Sequence, residues 1–134
     1  MPGGNTEIIQ RAWDAFNEGD PSLWLDRYDP DVVLRVAPGG AVEPGTFVGA
    51  ERVQRWFQEL FDVFGRSYHV DIVDLTDVGD SVLCATKTRA RGRQSGAEVE
   101  APATSFLVTF RGGRIIRMDI PESLEEGRRL VGLS

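Results

Sequence analysis

The hydrophobic pattern of this chain changes its period once, near Ser67, and that change limits the folds open to the sequence. Before this point apolar residues recur at helical spacing, most clearly from Val53 to Phe64, and Gly65 is expected to end that helix. After it apolar and polar residues alternate, beginning at Tyr68, which is the pattern of half-buried strands. Helices followed by a run of antiparallel strands predict an α+β fold.

Three helices are predicted in the first half of the chain, and a short fourth helix is predicted near its end. The first is expected to run from a cap at Asn5 or Thr6 to Gly19, and the second, a short one, to end at Tyr28. The third carries a stripe of aromatic rings, which at helical spacing is expected to lie in the core. Ser123 opens a Ser-Leu-Glu-Glu capping box for the last helix.

Turn residues divide the remaining sequence into strands, which we expect to form a sheet of about five or six strands. The first strand is Val32 to Val36, and hairpins are predicted at Gly79-Asp80 and Gly112-Gly113. Pro102 has no N–H to donate to a sheet, so a bulge is expected there.

Basic residues alternate along the strand that follows the first hairpin. A register that sets Arg93 opposite Glu98 also sets Arg91 opposite Glu100. Such cross-strand ion pairs contribute about 0.2–1 kcal/mol each, and they favour a solvated sheet face over an anion-binding stripe. The basic set is Lys87, Arg89, Arg91 and Arg93.

Charge and length exclude several classes of protein. The 134 residues fit a single domain, residues 1–134, and carry a net charge of -6, whereas a nucleic-acid partner requires a basic surface. No stretch approaches the ~18 apolar residues of a membrane span, and nothing indicates export, so we expect a cytoplasmic protein with no membrane partner.

Cys84 and His69 are each the only residue of their type; the thiol is expected to be buried, and the lone imidazole indicates no metal site. No cofactor is expected.

Five short motifs follow one another along the chain: Phe16-Asn17-Glu18-Gly19-Asp20, Asp29-Pro30-Asp31-Val32, Phe47-Val48-Gly49, Asp77-Val78-Gly79-Asp80 and Gly112-Gly113. Their order and spacing resemble the nuclear transport factor 2-like superfamily, in particular its small bacterial SnoaL-like (polyketide cyclase-like) members. The resemblance implies a cone, in which a curved antiparallel sheet wraps round three helices of the N-terminal half, with a short C-terminal helix and a pocket at the wide end. It leaves the function open, since a fold does not fix chemistry.

The resemblance also implies where catalytic residues would lie, and those positions lack them. The tyrosine and two aspartates of ketosteroid isomerases fall at Ala12, Val36 and Phe106, none of which transfers a proton. The ionisable Asp-Arg-Asp set of limonene-epoxide hydrolase-like enzymes falls at Thr88, Thr86 and Ile120, and their water-holding tyrosine and asparagine fall at Leu34 and Val36.

SnoaL-like cyclases use an aspartate on the last strand and a histidine on the strand before it. Here Phe106 stands where the histidine is common, and the last strand offers Asp119. By alternation Asp119 faces away from the side shared by Met118 and Ile120. A bulge that reversed its facing would reopen acid–base chemistry, and this alternative stays open.

Three functions therefore compete. The chain is a pocket protein that binds an apolar small molecule, with mild chemistry possible through Thr86, Thr88 or Tyr28; or an interaction module whose cone is filled by its own aromatic rings; or a cyclase- or isomerase-type enzyme with displaced catalytic residues. The ligand-binding residues expected for the first are Trp13, Phe16, Tyr28, Leu34, Val36, Trp56, Leu60, Cys84, Thr86, Thr88, Phe106, Val108, Met118 and Ile120.

A homodimer is also expected, because members of the superfamily commonly pair through the outer face of the sheet. That face carries Lys87, Arg89 and Arg117 among smaller or apolar residues such as Leu107 and Thr109. A two-fold symmetric contact would cover it.

Overall fold

The computed structural model describes residues 4–20, 27–38, 44–64, 69–91 and 98–132. In chain order these residues form α1 (Gly4–Asn17), β1 (Tyr28–Val36), β2 (Gly45–Val48), α2 (Ala50–Phe64), β3 (His69–Val78), β4 (Ser81–Arg91), β5 (Glu98–Arg111), β6 (Arg114–Ile120) and α3 (Leu124–Leu130). The predicted α+β fold is confirmed, with a six-stranded sheet that is curved and not closed. None of the described helices is long and apolar enough to span a membrane.

The two longer helices each bury one apolar stripe, as their sequence spacing predicts. The stripe of α1 consists of Ile9, Ala12, Trp13 and Phe16, and that of α2 includes Val53, Trp56, Phe57 and Leu60. The chain leaves α1 through Gly19, whose φ of 104° lies in the left-handed region that favours glycine.

The prediction of a short second helix is wrong at the C-terminal end of that helix. Tyr28, expected to finish that helix, is the first residue of β1, so the first strand begins before Val32 and includes Pro30. The rest of the predicted helix, residues 21–26, lies outside the described residues. The β-branched and apolar run that follows Asp31 continues the strand, and it outweighs the turn signal of Asp29-Pro30.

The strand order across the sheet is β2-β1-β6-β5-β4-β3. Neighbouring strands are antiparallel, as predicted, except that β1 runs parallel to β6. A parallel pair is possible here because four strands and a helix separate β1 from β6 along the chain, which leaves ample length for the crossover.

The register of the β4–β5 hairpin differs from the prediction by two residues. Arg91 lies opposite Glu98 and Arg89 opposite Glu100, while Arg93 lies outside the described residues. A shift of two leaves every side chain on its predicted face, because the side-chain period of a strand is two. The bulge expected at Pro102 is confirmed, since the register changes between the Thr88–Ala101 and Thr86–Thr104 pairs.

The helix α3 packs on the face of the sheet opposite to the core. Ser123 caps it, because the Ser123 Oγ accepts a hydrogen bond of 3.1 Å from the Glu126 N–H, which confirms the predicted cap. Gly127 lies so close to β4 and β5 that a Cβ there would be 3.1 Å from the Ser105 Cβ and 3.2 Å from the Leu83 Cδ1. The sheet therefore has an inner face toward α1 and α2 and an outer face that α3 partly covers.

Candidate functional site

The inner face of the sheet is an apolar wall. Leu34 pairs with Met118 and Met118 with Val108, while Phe106 pairs with Cys84, so these five side chains point to the same side. All five are buried in the core. The structure therefore brings together most of the residues that the alternation pattern predicted to face inward.

Two predicted wall residues lie at its edge. Val36 and Ile120 pair with each other at the ends of β1 and β6. Val36 is buried, but Ile120 is only partly buried, and both also line a groove on the outer side of the sheet. Val36 and Ile120 border both faces because they lie at the ends of β1 and β6, where the sheet itself ends.

Aromatic rings from the helices pack onto this wall. The ring of Trp13 lies 4.8 Å from that of Phe106, 5.4 Å from that of Phe16 and 6.2 Å from that of Phe57, all in edge contacts. Trp56 makes a similar contact with Phe57 at 5.0 Å. Trp13 thus joins α1 to the sheet at Phe106.

Thr86 places a polar atom in this apolar interior. Its side chain is fully buried, and its Oγ1 has no hydrogen-bond partner in the structure. Its register neighbours are Ile72 on β3 and Thr104 on β5. A buried hydroxyl without a partner costs about 1–3 kcal/mol, so its position requires an explanation. Thr88, two residues along the strand and opposite Val70, is only partly buried.

Tyr28 places a second unpaired hydroxyl in the interior. The side chain is 3% exposed, and its OH forms no hydrogen bond. Burial raises the pKa of this phenol, so it stays protonated and can donate a hydrogen bond. Burial, assisted by the charge of Asp74, likewise raises the pKa of the Cys84 thiol to about 12, so no thiolate nucleophile forms near neutral pH.

The two hydroxyls lie at different levels of the wall. Tyr28 pairs with Ile115, which pairs with Phe110, whereas Thr86 pairs with Thr104. The six residue-to-residue steps from Thr104 to Phe110 correspond to about 20 Å along β5 at ~3.3 Å per residue. The predicted residues Thr86 and Tyr28 therefore face one interior from separate places and cannot hold the same atom of a ligand.

Asp119 faces outward, which closes the alternative of an inward-facing acid on the last strand. It pairs with Leu107 and Arg35, on the side away from Met118. Both of its carboxylate oxygens accept hydrogen bonds from the Arg117 guanidinium, at 2.9 and 3.1 Å. The hydrogen bond and charge of Asp119 raise the pKa of Arg117. The pair is a fixed feature of the outer face and cannot serve a reaction inside the cone.

His69 is partly exposed, and it belongs to a small ionic group. Its Nε2 lies 3.0 Å from the Asp71 Oδ1, and the other oxygen of Asp71 accepts from Arg89. Across the described residues no three or more His, Cys, Asp or Glu side chains are grouped to hold a metal ion. This group therefore stabilises the face of β3 and β4 rather than forming a second site.

A groove of about 1040 Å³ on the outer face was not predicted. Its floor includes Leu107, Thr109 and the Arg117–Asp119 pair, and its walls are the β1–β2 hairpin on one side and α3 on the other. Its walls come from segments far apart in the sequence. The one sequence signal for it was the Arg117-x-Asp119 spacing, which puts both charges on one face of a strand.

Comparison with known proteins identifies the fold. The family model of the SnoaL-like domain matches residues 9–118. No curated protein matches the chain. Among solved structures, Bal32a from a soil-derived mobile gene cassette is 20% identical, with a TM-score of 0.76 over 91% of this chain and 92% of that one.

Two further similar structures were solved with small molecules. TerC, co-crystallised with polyporic acid, is 19% identical with a TM-score of 0.74, over 96% of this chain and 98% of that one. A hypothetical protein from Catenulispora acidiphila DSM 44928 with a ketosteroid isomerase-like fold, in complex with trimethylamine, is 20% identical with a TM-score of 0.72, over 96% and 94% of the two chains. At such identities the likeness shows the shared fold alone.

Proposed function

Because this chain belongs to the family of SnoaL-like domains, we propose that it binds a neutral, apolar small molecule against the inner face of its sheet. The observation that carries the proposal is the Thr86 hydroxyl, which is fully buried and has no hydrogen-bond partner. A ligand oxygen or nitrogen at this point would satisfy the hydroxyl and recover the cost of its burial.

The ligand is neutral because the inner wall offers no charge to balance an ion. The described residues of the wall are apolar apart from Thr86, Thr88, Cys84 and Tyr28, and the raised pKa values keep the thiol and the phenol protonated. Burying an isolated carboxylate or ammonium in such a wall costs far more than its apolar contacts return. A ligand with a carbonyl, ether or hydroxyl oxygen fits both requirements.

The same wall argues against acid–base catalysis of the isomerase type. Ala12, Val36 and Phe106 are buried and carry no group that exchanges protons. A neutral threonine hydroxyl is too weak a base to replace a carboxylate at pH 7. Binding, with at most weak chemistry at Thr86, is the function that these residues support.

A thermal-shift screen of apolar oxygen-bearing compounds tests the proposal, with Thr86→Val as the informative variant. Valine keeps the shape of threonine and removes the hydroxyl, so we expect compounds that stabilise the native protein to bind Thr86→Val about fivefold to tenfold more weakly. Thr46→Val, at an exposed position on β2, is the matched control and should bind as the unaltered protein does.

The alternative is an interior filled by its own side chains, which the edge contacts of Trp13 with Phe106 and Phe57 favour. In that case no compound shifts the melting temperature. Thr86→Val would then only remove an unsatisfied hydroxyl, and the melting temperature would stay the same or rise. This pair of results would refute ligand binding and leave an interaction module as the better description.

A homodimer through the outer face is the second part of the proposal. Val48 and Leu130, 61% and 54% exposed, flank this face. Arg35, on the β1–β2 wall of the groove, and Glu122, on the α3 wall, form no ion pair in the described structure. A two-fold axis can set the Arg35 wall of one copy against the Glu122 wall of the other, so the surface is complementary to itself.

Charge reversal tests this contact by light scattering after size exclusion. Arg35→Glu and Glu122→Arg should each raise the dimer dissociation constant by at least about tenfold, and the double variant should recover most of the affinity. Glu125→Arg, exposed on α3 outside the groove, is the control and should have no effect. A mass near 14.8 kDa for the unaltered protein at micromolar concentration would count against a dimer.

A further inference from the structure

The two walls of the outer groove carry opposite charges, and each also carries an exposed apolar side chain. The β1–β2 wall has Arg35, and Val48 lies on the same side of β2 as Thr46, which lines the groove. The α3 wall has Glu122 and Leu130. Val48 and Leu130 are 61% and 54% exposed, which places them among the three most exposed large apolar side chains of the described residues. Each wall therefore offers one charge and one apolar contact to whatever covers the groove.

On the β1–β2 wall the charge and the apolar side chain lie at two different levels along the strands. Arg35 is level with Asp119 on β6, since the two are register partners. Val48 is level with Arg117, because Val48 pairs with Val33 and Val33 pairs with Arg117. The step from one level to the other is about 7 Å, for two residues at ~3.3 Å per residue.

The helix α3 advances along β5 in the direction of that strand. The Ser105 Oγ donates to the Ser123 main-chain oxygen at 3.3 Å, so the helix starts beside Ser105. One turn later, a Cβ at Gly127 would lie 3.2 Å from the Leu83 Cδ1. The register partner of Leu83 on β5 is Leu107, so this turn of α3 advances from Ser105 toward Leu107.

The α3 wall therefore has its charge and its apolar side chain in the same order as the β1–β2 wall. Glu122 lies between the end of β6 and the start of α3. Leu130 lies at the other end of the helix and lines the groove together with Thr109, which pairs with Arg117. Leu130 is thus near the level of Val48, and both charges lie toward the end of the sheet where β6 finishes.

Two kinds of two-fold axis between the sheets could bring two outer faces together. An axis across the strands sets each wall against the same wall of the other copy, so Arg35 faces Arg35 and Glu122 faces Glu122. Like charges placed opposite each other in an interface oppose association. An axis along the strands sets each wall against the opposite wall and keeps the levels, so Arg35 faces Glu122 and Val48 faces Leu130. The charges therefore favour the axis along the strands.

Building on the proposed dimer, we infer that two copies of this chain pair about an axis along the strands, so that the contact has two identical halves. In each half Arg35 pairs with Glu122 of the other copy, and Val48 packs against Leu130 of the other copy. The apolar pair adds affinity by leaving water, whereas the ion pair selects the orientation. Val48 and Leu130 are thus exposed in the single chain and covered in the dimer.

Cysteine cross-linking tests this geometry, because a disulfide requires Cα atoms within about 7 Å of each other. In the double variant Val48→Cys/Leu130→Cys, mild oxidation of the full chain should convert most of the protein to linked dimers on a non-reducing gel. A link within one copy is excluded, since β2 and β5 are three strand spacings apart, about 14 Å at ~4.8 Å each. Cys84 does not interfere, because its side chain is fully buried.

The single variants distinguish the two axes. Val48→Cys alone and Leu130→Cys alone should each give at least about fivefold less linked dimer than the double variant, because neither position faces itself. A one-to-one mixture of the two single variants should link up to about half of the protein, the share of mixed dimers at random pairing. Val73→Cys, 59% exposed on β3 and outside both walls, is the matched control. Combined with Leu130→Cys, it should link no more than the single variants do.

The outcomes separate this inference from the proposed dimer. If the unaltered protein is a monomer by light scattering, the dimer and the inference fail together. If it is a dimer but one single variant links as well as the double variant, the axis runs across the strands and the inference is overturned. If it is a dimer and none of the variants links, another surface forms the contact and the inference is again overturned. Efficient linking of the double variant and of the mixture, without linking of the control, supports the axis along the strands.

Discussion

Replacing Gly127 by alanine should detach or strain α3, because that glycine makes the closest contact between the helix and the sheet. A Cβ at this position would clash with the Ser105 Oγ and would lie 3.1 Å from the Ser105 Cβ and 3.2 Å from the Leu83 Cδ1. The hydroxyl cannot simply rotate away without loss, since the Ser105 Oγ donates to the Ser123 main-chain oxygen at 3.3 Å. The Ser105 Cβ is fixed by the backbone of β5 and must move with it.

Two effects of opposite sign determine the magnitude. Overpacking of this kind costs about 1–3 kcal/mol, whereas alanine is about 1 kcal/mol better than glycine inside a helix. We therefore expect Gly127→Ala to lower the free energy of unfolding by up to about 2 kcal/mol. Adding Ser105→Ala removes the clash with the Ser105 Oγ but keeps the 3.1 Å contact with the Cβ, so it should recover part of the loss.

Urea unfolding followed by tryptophan fluorescence measures the change, with Trp13 and Trp56 buried in the core as reporters. Gly4→Ala is the control, since a Cβ at Gly4 meets nothing within 4 Å and the residue begins α1. It should leave stability unchanged or raise it by up to ~1 kcal/mol. If Gly127→Ala were more stable than the unaltered protein, α3 would not be held by close packing on β4 and β5, and the outer groove would lose one of its walls.

Two further predictions concern chemistry at the inner wall. Cys84 is fully buried with a pKa raised to about 12, so 5,5′-dithiobis(2-nitrobenzoic acid) at pH 8 should label the thiol only after unfolding; complete labelling of the native protein within minutes would contradict its burial. The protein should turn over neither a Δ5-ketosteroid nor a terpene epoxide, because Ala12, Val36 and Phe106 supply no base and Asp119 faces away from the interior. Turnover well above background would show that a catalytic group had been overlooked.

The parts of the fold that depend on local sequence could be predicted. The stripes of α1 and α2 and the alternation from β3 onward are set by periods of 3.6 and 2, and both were read correctly. The facing of Asp119 also followed from alternation. The bulge at Pro102 followed from its missing N–H.

Features that depend on distant segments could not be predicted. The β4–β5 register depends on the pairing of whole strands, and counting charges placed Arg93 opposite Glu98 where the structure has Arg91. The strand character of Tyr28 depends on its pairing with Ile115, far along the chain. Likewise the outer groove exists because α3 returns to the sheet at Gly127, which a local pattern does not reveal.

The otherwise apolar interior contains two buried hydroxyls without hydrogen-bond partners, those of Thr86 and Tyr28, and their presence requires a reason. Val36 and Phe106 have side chains that close the core at no polar cost. Replacing Thr86 by valine and Tyr28 by phenylalanine would also close the core. Each change would stabilise the empty protein by about 1–3 kcal/mol. That sum is a large part of the 5–15 kcal/mol by which domains are stable. A cone that served only as a packed core would gain from both changes. An occupant with an oxygen or nitrogen beside Thr86 would reverse the balance there, because it would satisfy a hydroxyl that valine lacks.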